Sequence, residues 1–358
     1  MVRYIFLLFV LVPFSVNAAT KTEMYAYVSV AGDNKISVFE VDPNDGHLTH
    51  RTDVTTDGAP GSLAVDPKNR FLFAAIRSTG AISSFKIDAA TGNLAHLSTS
   101  VVEADPAYVR TDATGKYLLS AYYRAGKVAV HAIDSSGKVS VEAIQWTETD
   151  EKAHAVVIDR SNRFVYVPHT GPNAIFQFRF EASDGSLSPN SPAITKTPKN
   201  TGPRHGWLHP NGRFAYFDNE QGSSVTAFHF NADSGKIEAC QTISTLPADF
   251  EENNSCADLE MTSSGKFLYA SNRGHDSIAC FAVNEKTGEL SLIEQVATEK
   301  TPRSFNIDPS GRFLYAAGQS SGKLVAYEIN AKSGKLIRFE TYSVGSQPWW
   351  VLVVEAPE

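Results

Sequence analysis

Along most of the chain apolar and polar residues alternate with a period of two, as in Lys35-Ile36-Ser37-Val38-Phe39-Glu40-Val41. That is the pattern of strands with one buried face, and no stretch carries a helical stripe. A phrase of roughly fifty residues orders the alternation. It runs apolar strand, turn, aromatic-led strand, polar loop, alternating strand, glycine hairpin. The turn reads Asp66-Pro67-Lys68-Asn69-Arg70-Phe71, then Asp112-Ala113-Thr114-Gly115-Lys116-Tyr117, and returns at 159–164, 209–214, 262–267 and 308–313. Hairpins fall at Asp45-Gly46, Thr91-Gly92, Ser136-Gly137, Asp184-Gly185, Ser234-Gly235, Thr287-Gly288 and Ser333-Gly334. Asp and Ser side chains bond the local backbone in such turns, and Gly takes positive φ.

Four short antiparallel strands per repeat make a propeller blade. The hairpins and the aromatic-led second strands, which begin at Tyr25, Phe71, Tyr117, Phe164, Phe214, Phe267 and Phe313, both number seven. Only six first strands precede those turns. The seventh is expected from Pro348-Trp349-Trp350-Val351-Leu352-Val353-Val354 at the C-terminus, which would complete the N-terminal blade and leave no free sheet edge. The reading is an all-β, seven-bladed propeller over residues 20–358.

In such a meander the turn-forming segments occupy one face, so chemistry is sought on the other, around the channel. Aligned at the turn, the repeats give a column at the start of the inner strand: Gly61, Ala107, His154, Arg204, Ala257, Arg303 and Trp349. A second column follows the second strand: Ala31, Arg77, Tyr123, Thr170, Glu220, Arg273 and Gln319. His169, His205, Asn219, Asn272 and His275 adjoin them. A repeat that only builds core would fill equivalent positions alike. These columns and their neighbours instead gather four arginines, a glutamate and several histidines, which points to an anion-binding site. The alternative is that the same residues make inter-blade ion pairs and bond strand ends.

Composition narrows the function. The chain has 358 residues, 42% hydrophobic and 20% charged, with a net charge of −7, which argues against nucleic acid as a partner. Arg3, the apolar run Tyr4 to Phe14 and the small residues around Ala18-Ala19 read as a signal peptide over residues 1–19, with a retained anchor as the alternative. After cleavage no stable membrane insertion is expected, and the mature chain is placed in the periplasm or outside the cell. Three cysteines leave at least one unpaired; Cys240 and Cys256 could bridge, although buried free thiols are the preferred reading. The histidines lack metal-ligand spacing, so neither metal nor cofactor is expected. A monomer or homodimer would suffice.

The segment Thr201-Gly202-Pro203-Arg204-His205, continuing through His209-Pro210-Asn211-Gly212-Arg213-Phe214-Ala215-Tyr216 to Asn219-Glu220, resembles the signature of the seven-bladed propeller lactonases. These include the propeller-type bacterial 6-phosphogluconolactonases and the fungal carboxy-cis,cis-muconate cyclases. Leu246 to Phe250, Pro302 to Asp308, Ala316 to Gln319 and Val344 to Trp350 extend the likeness across the mature chain. The resemblance implies a catalytic set of His154, Arg204, Glu220 and Arg273, all already in the columns. Arg77, His205, Asn219, His275, Arg303 and Gln319 are then candidates for binding a small anionic lactone. Glu220 or His154 is the expected general base; His154, titrating near neutrality, is preferred, with Glu220, lowered by its arginines, as the group that orients it or an arginine. Hydrolysis of a sugar-acid lactone is the expected reaction. A lactonising cyclase and a secreted, non-enzymatic propeller that binds an anionic sugar or a partner protein are the alternatives. Export is unusual for an enzyme of phosphosugar metabolism, which points toward an unphosphorylated or carboxylated lactone.

Overall fold

Each turn between first and second strands is tied by its leading side chain. The carboxylates of Asp66, Asp112, Asp159 and Asp308 each accept backbone N–H groups four and five residues on, at 2.6–3.0 Å. The computed structural model describes residues 23–357, and the expected signal peptide lies outside them. The described residues form seven four-stranded antiparallel sheets. Six consist of consecutive strands. In the first blade Pro348–Glu355 forms the inner strand beside Met24–Val30, followed outward by Lys35–Val41 and Leu48–Thr55. Among the described residues the helical content is one 3₁₀ turn, Ala31–Asp33, and no helix is long and apolar enough to cross a membrane.

Blades are joined by a contact repeated around the whole ring. The residue that opens each second strand lays its ring against the hairpin glycine of the next blade: Tyr25 on Gly92, Phe71 on Gly137, Tyr117 on Gly185, Phe164 on Gly235, Phe214 on Gly288, Phe267 on Gly334 and Phe313 on Gly46. A Cβ at any of these glycines would fall 2.2–2.6 Å from the ring, and all seven have positive φ. Two residues further along the strand, Tyr27, Tyr216, Tyr269 and Tyr315 donate to the carbonyls of Gly92, Gly288, Gly334 and Gly46 at 2.7–2.9 Å; Tyr166 does the same to Gly235. The core lies between blades. Val28 and Val30 of the first blade share a buried cluster with Tyr315 and Ala317 of the last, which seals the ring.

The inner strands break register as they enter. The pairing slips between Pro60 and Leu63, Pro203 and Gly206, Cys256 and Leu259, Pro302 and Ser304, and around Trp349. In the other two blades regular pairing begins late, at Tyr108–Thr111 and Val157–Ile158. Every residue of the first column therefore lies outside the regular ladder, where its side chain is free to turn into the channel mouth. The cysteines are all free, without the Cys240–Cys256 bridge; Cys256 and Cys280 are buried, but Cys240 is exposed because it sits on an outer strand.

The inter-blade contact makes a paired prediction. Gly235→Ala forces a methyl group into the Phe164 ring at a positive φ and is expected to cost about 2–4 kcal/mol in urea unfolding. Gly212 has a similar φ of +67° but nothing within 4 Å, so Gly212→Ala should cost about 1 kcal/mol. Equal losses would mean that the ring contact is not what the glycine serves.

Candidate active site

The bulged inner strands deliver Gly61, Ser62, Ala107, His154, Arg204, Arg303, Trp349 and Trp350 to one cleft at the channel mouth, and Arg77 reaches it from a neighbouring second strand. Arg204 is 2% exposed, His154 8% and His205 4%, so this is an interior charge cluster and not a solvated surface. The Arg303 and Arg77 guanidinium carbons lie 5.1 and 5.8 Å from the centre of the Trp349 ring. Arg77 also faces Asp105 at 3.8 Å. Arg303 makes no ion pair among the described residues. Glu220 and Arg273 stand beside the cleft: Arg273 donates to Glu220 at 2.5 Å and to the Cys256 carbonyl at 2.9 Å, while Arg204 Nε is 3.8 Å from the same carboxylate.

One carboxylate thus serves two arginines, and positive charge dominates. Burial and the nearby Arg204, Arg273 and Arg77 lower Arg303 to about 9, which still leaves it charged at neutral pH. Burial alone would raise Glu220, but Arg204 and Arg273 outweigh it and hold the carboxyl below its usual range. The expectation that His154 titrates near neutrality is overturned. Burial, then Arg204, His205, Arg303 and Arg77, push it well below 6.5, so its imidazole is neutral at physiological pH. Its Nδ1 is buried without a protein partner.

Beneath the cleft three rings from different blades cross the channel. Tyr108, His205 and Trp350 pack with centroids 5.5–5.7 Å apart, and His154 leans on His205 at 5.1 Å. They separate the cleft from a chamber of about 330 Å³ on the turn side, lined by Arg110, Trp207, Glu260 and Asn306 among others. His205 Nδ1 lies 2.7 Å from Asp258, and Arg204 Nη1 is 3.2 Å from its Nε2.

Three sequence candidates stand apart from this cluster. Asn219 turns into its own blade, donating to the hydroxyls of Ser224 and Thr226 at 3.0 and 2.9 Å. His275 bonds the Ser277 hydroxyl at 2.7 Å and packs edge-on against Phe250. Gln319 lines a separate surface depression with Ser320, Ser346 and Gln347. Conversely, Tyr108, Asp258 and Trp350 were not singled out. All three stand one position after the first column, where the same alignment carried one residue further would have found them. Among the described residues no group of three His, Cys, Asp or Glu side chains is placed to hold a metal ion.

The model of the family "Lactonase, 7-bladed beta-propeller" matches residues 18–104 and 96–353. The chain belongs to the seven-bladed β-propeller lactonases. Its class of chemistry is lactone hydrolysis. This lactonase is 33% identical over 329 residues to the 6-phosphogluconolactonase of an Enterobacter species, covering 92% of this chain and 85% of that one. It is 34% identical over 337 residues to the 6-phosphogluconolactonase of Pectobacterium atrosepticum, covering 94% and 87%. The solved periplasmic gluconolactonase of Pseudomonas aeruginosa superposes with a TM-score of 0.86 at 27% identity, over 94% of this chain and all of that one.

The buried titratable groups of the lactonase give a signed pH prediction. Burial lowers His169 and His205 to about 4. Between there and about 6.5 the unfolded chain binds protons that the folded one refuses, so stability falls as pH drops, by up to about 1.4 kcal/mol per pH unit for each histidine. Asp218 opposes them. Burial raises it to about 7, so the folded chain keeps a proton that the unfolded chain releases near 4. Asp218→Asn removes that opposition. Urea titrations from pH 6.5 to 5 should therefore show a steeper loss with falling pH in the variant than in the parent; parallel curves would contradict the assignment.

Proposed function

We propose that this lactonase opens a sugar-acid lactone in the mouth cleft, using His154, Arg204, Glu220 and Arg273 as its reacting and charge-setting groups, with Arg77 and Arg303 holding the substrate's anionic substituent where it has one. The observation that carries the reading is the convergence of Arg77, Arg204 and Arg303 around a neutral His154, with no carboxylate among the residues lining that cleft.

Water adds to the lactone carbonyl carbon, and His154 takes its proton as the C–O bond to water forms. The carbonyl oxygen becomes an oxyanion facing Arg204, a buried donor whose charge is not dissipated in solvent. The ring C–O bond then breaks, and the departing alkoxide takes the proton back from His154. The new carboxyl group then gives up its remaining proton to solvent, leaving a hydroxy acid whose carboxylate lies among arginines. A strongly depressed histidine is a weak base in the empty site. An arriving anion offsets the surrounding positive charge and raises the basicity of His154, so substrate binding and activation of the base are coupled. Glu220, lowered by the same arginines, is suited to fix Arg204 and Arg273 and is poorly suited to take a proton.

The relatives named 6-phosphogluconolactonase and the structural neighbour named a periplasmic gluconolactonase support the two sugar lactones as first substrates. The apolar segment before Ala18 and the periplasmic neighbour support export, which favours the unphosphorylated lactone in the cell.

Proton release in weak buffer, with spontaneous opening subtracted, tests the reading on glucono-δ-lactone and 6-phosphogluconolactone. Turnover of at least one is expected, with kcat/KM lowered about 100- to 1,000-fold in His154→Ala and in Arg204→Ala. No rate above background on either would remove the proposed substrates. The base also makes a prediction about pH. Because His154 lies well below 6.5, kcat/KM should stay level as pH falls from 7 past 6; an inflection near 6.5 would mean that the base is a histidine in an ordinary environment.

A further inference from the structure

We propose that Asp258, acting through His205, is the positioning residue that holds Arg204 in the cleft. The kinetic consequence rests on the function proposed above; the geometry does not. A guanidinium can only donate, so His205 Nε2, 3.2 Å from Arg204 Nη1, must be the acceptor. The ring is then neutral with its proton on Nδ1, donated to Asp258 Oδ1 at 2.7 Å. Asp258 cannot rotate to offer anything else. Its Oδ1 accepts the Leu259 N–H at 3.0 Å, its Oδ2 accepts the Phe305 N–H of the next blade at 3.1 Å, and its own N–H donates to Ser271 at 3.1 Å. The imidazole is fixed in turn by the His205 N–H, which donates to Asp218 at 2.6 Å, and by the rings of Tyr108, His154 and Trp350.

Arg204 needs this support. It is almost wholly buried, its Nε has no hydrogen-bond partner, and Glu220 is 3.8 Å away. Two blades thus set the direction of one guanidinium, as outer partners of a histidine set its tautomer at other sites.

Asp258→Asn tests the relay because neither rotamer of the amide fits. With its nitrogen at the Oδ2 position it faces the Phe305 N–H. With its nitrogen at the Oδ1 position it faces the Leu259 N–H and forces the His205 proton onto Nε2, against Arg204. The full chain labelled with ¹⁵N in its histidine rings is examined by NMR at neutral pH, with the His205 signal assigned by its loss in His205→Phe. The parent should show a neutral ring protonated on Nδ1. Asp258→Asn should move the proton to Nε2 or exchange-broaden the ring, and lower kcat/KM about 10- to 100-fold. His205→Phe keeps the ring packing but removes the acceptor, so it should lose activity to a similar extent, with no further loss in the double variant. A parent ring protonated on Nε2, or on both nitrogens, overturns the proposal even if Asp258→Asn does not fold. So does an Asp258→Asn enzyme with the parent tautomer and kcat/KM within two-fold of the parent. A parent that opens neither lactone would remove the proposed function and leave the tautomer to decide the relay.

Discussion

Each blade is joined to the next by the seating of an aromatic ring on a hairpin glycine, and the rest of the molecule depends on that contact being made seven times. It requires a glycine at positive φ and a ring at the head of the preceding second strand, so it fixes the repeat in both sequence and space. It lies on the turn side of the disc, well away from the cleft. The opposite mouth is thereby released from structural duty: inner strands can bulge there, drop their ladder bonds and present dissimilar side chains without loosening the ring.

What the mouth does with that freedom is electrostatic. Convergence of the blades brings Arg77, Arg204 and Arg303 into one cleft with little acid to balance them, and burial prevents water from screening the imbalance. Such a cluster is costly to the empty protein and favourable to anything negative that enters, including charge that appears only during a reaction. It also explains a neutral histidine at the centre of the proposed catalytic set. His154 is kept unprotonated by its neighbours, and its strength as a base depends on what those neighbours bind.

The architecture was legible because turn chemistry is local: Asp-led turns and Ser/Thr/Asp-Gly hairpins announce themselves without reference to the fold. The columns placed Arg77, His154, Arg204 and Arg303 together because register along a strand survives in the sequence. Asn219 and His275, adjoining the columns, and Gln319 within them stand apart from the cluster, because a position at or beyond a strand's end says nothing of which way the side chain turns. Asn219 finds two hydroxyls in its own blade and stays there. The protonation of His154 was hidden for a different reason, since residue type gives the ordinary value and only burial among arginines reveals the shift. Asp258 escaped notice because its importance lies in the proton of another residue's ring.

On the proposed function the sugar acid binds in the mouth cleft, and not in the chamber below the three rings. A crystal structure with 6-phosphogluconate soaked in decides it most directly. The expected result is an anionic end of the ligand against Arg303 and Arg77 beside Trp349, with Arg204 and His154 in contact with the acid. Ligand seated instead between Arg110, Trp207 and Glu260, with the cleft vacant, would contradict it.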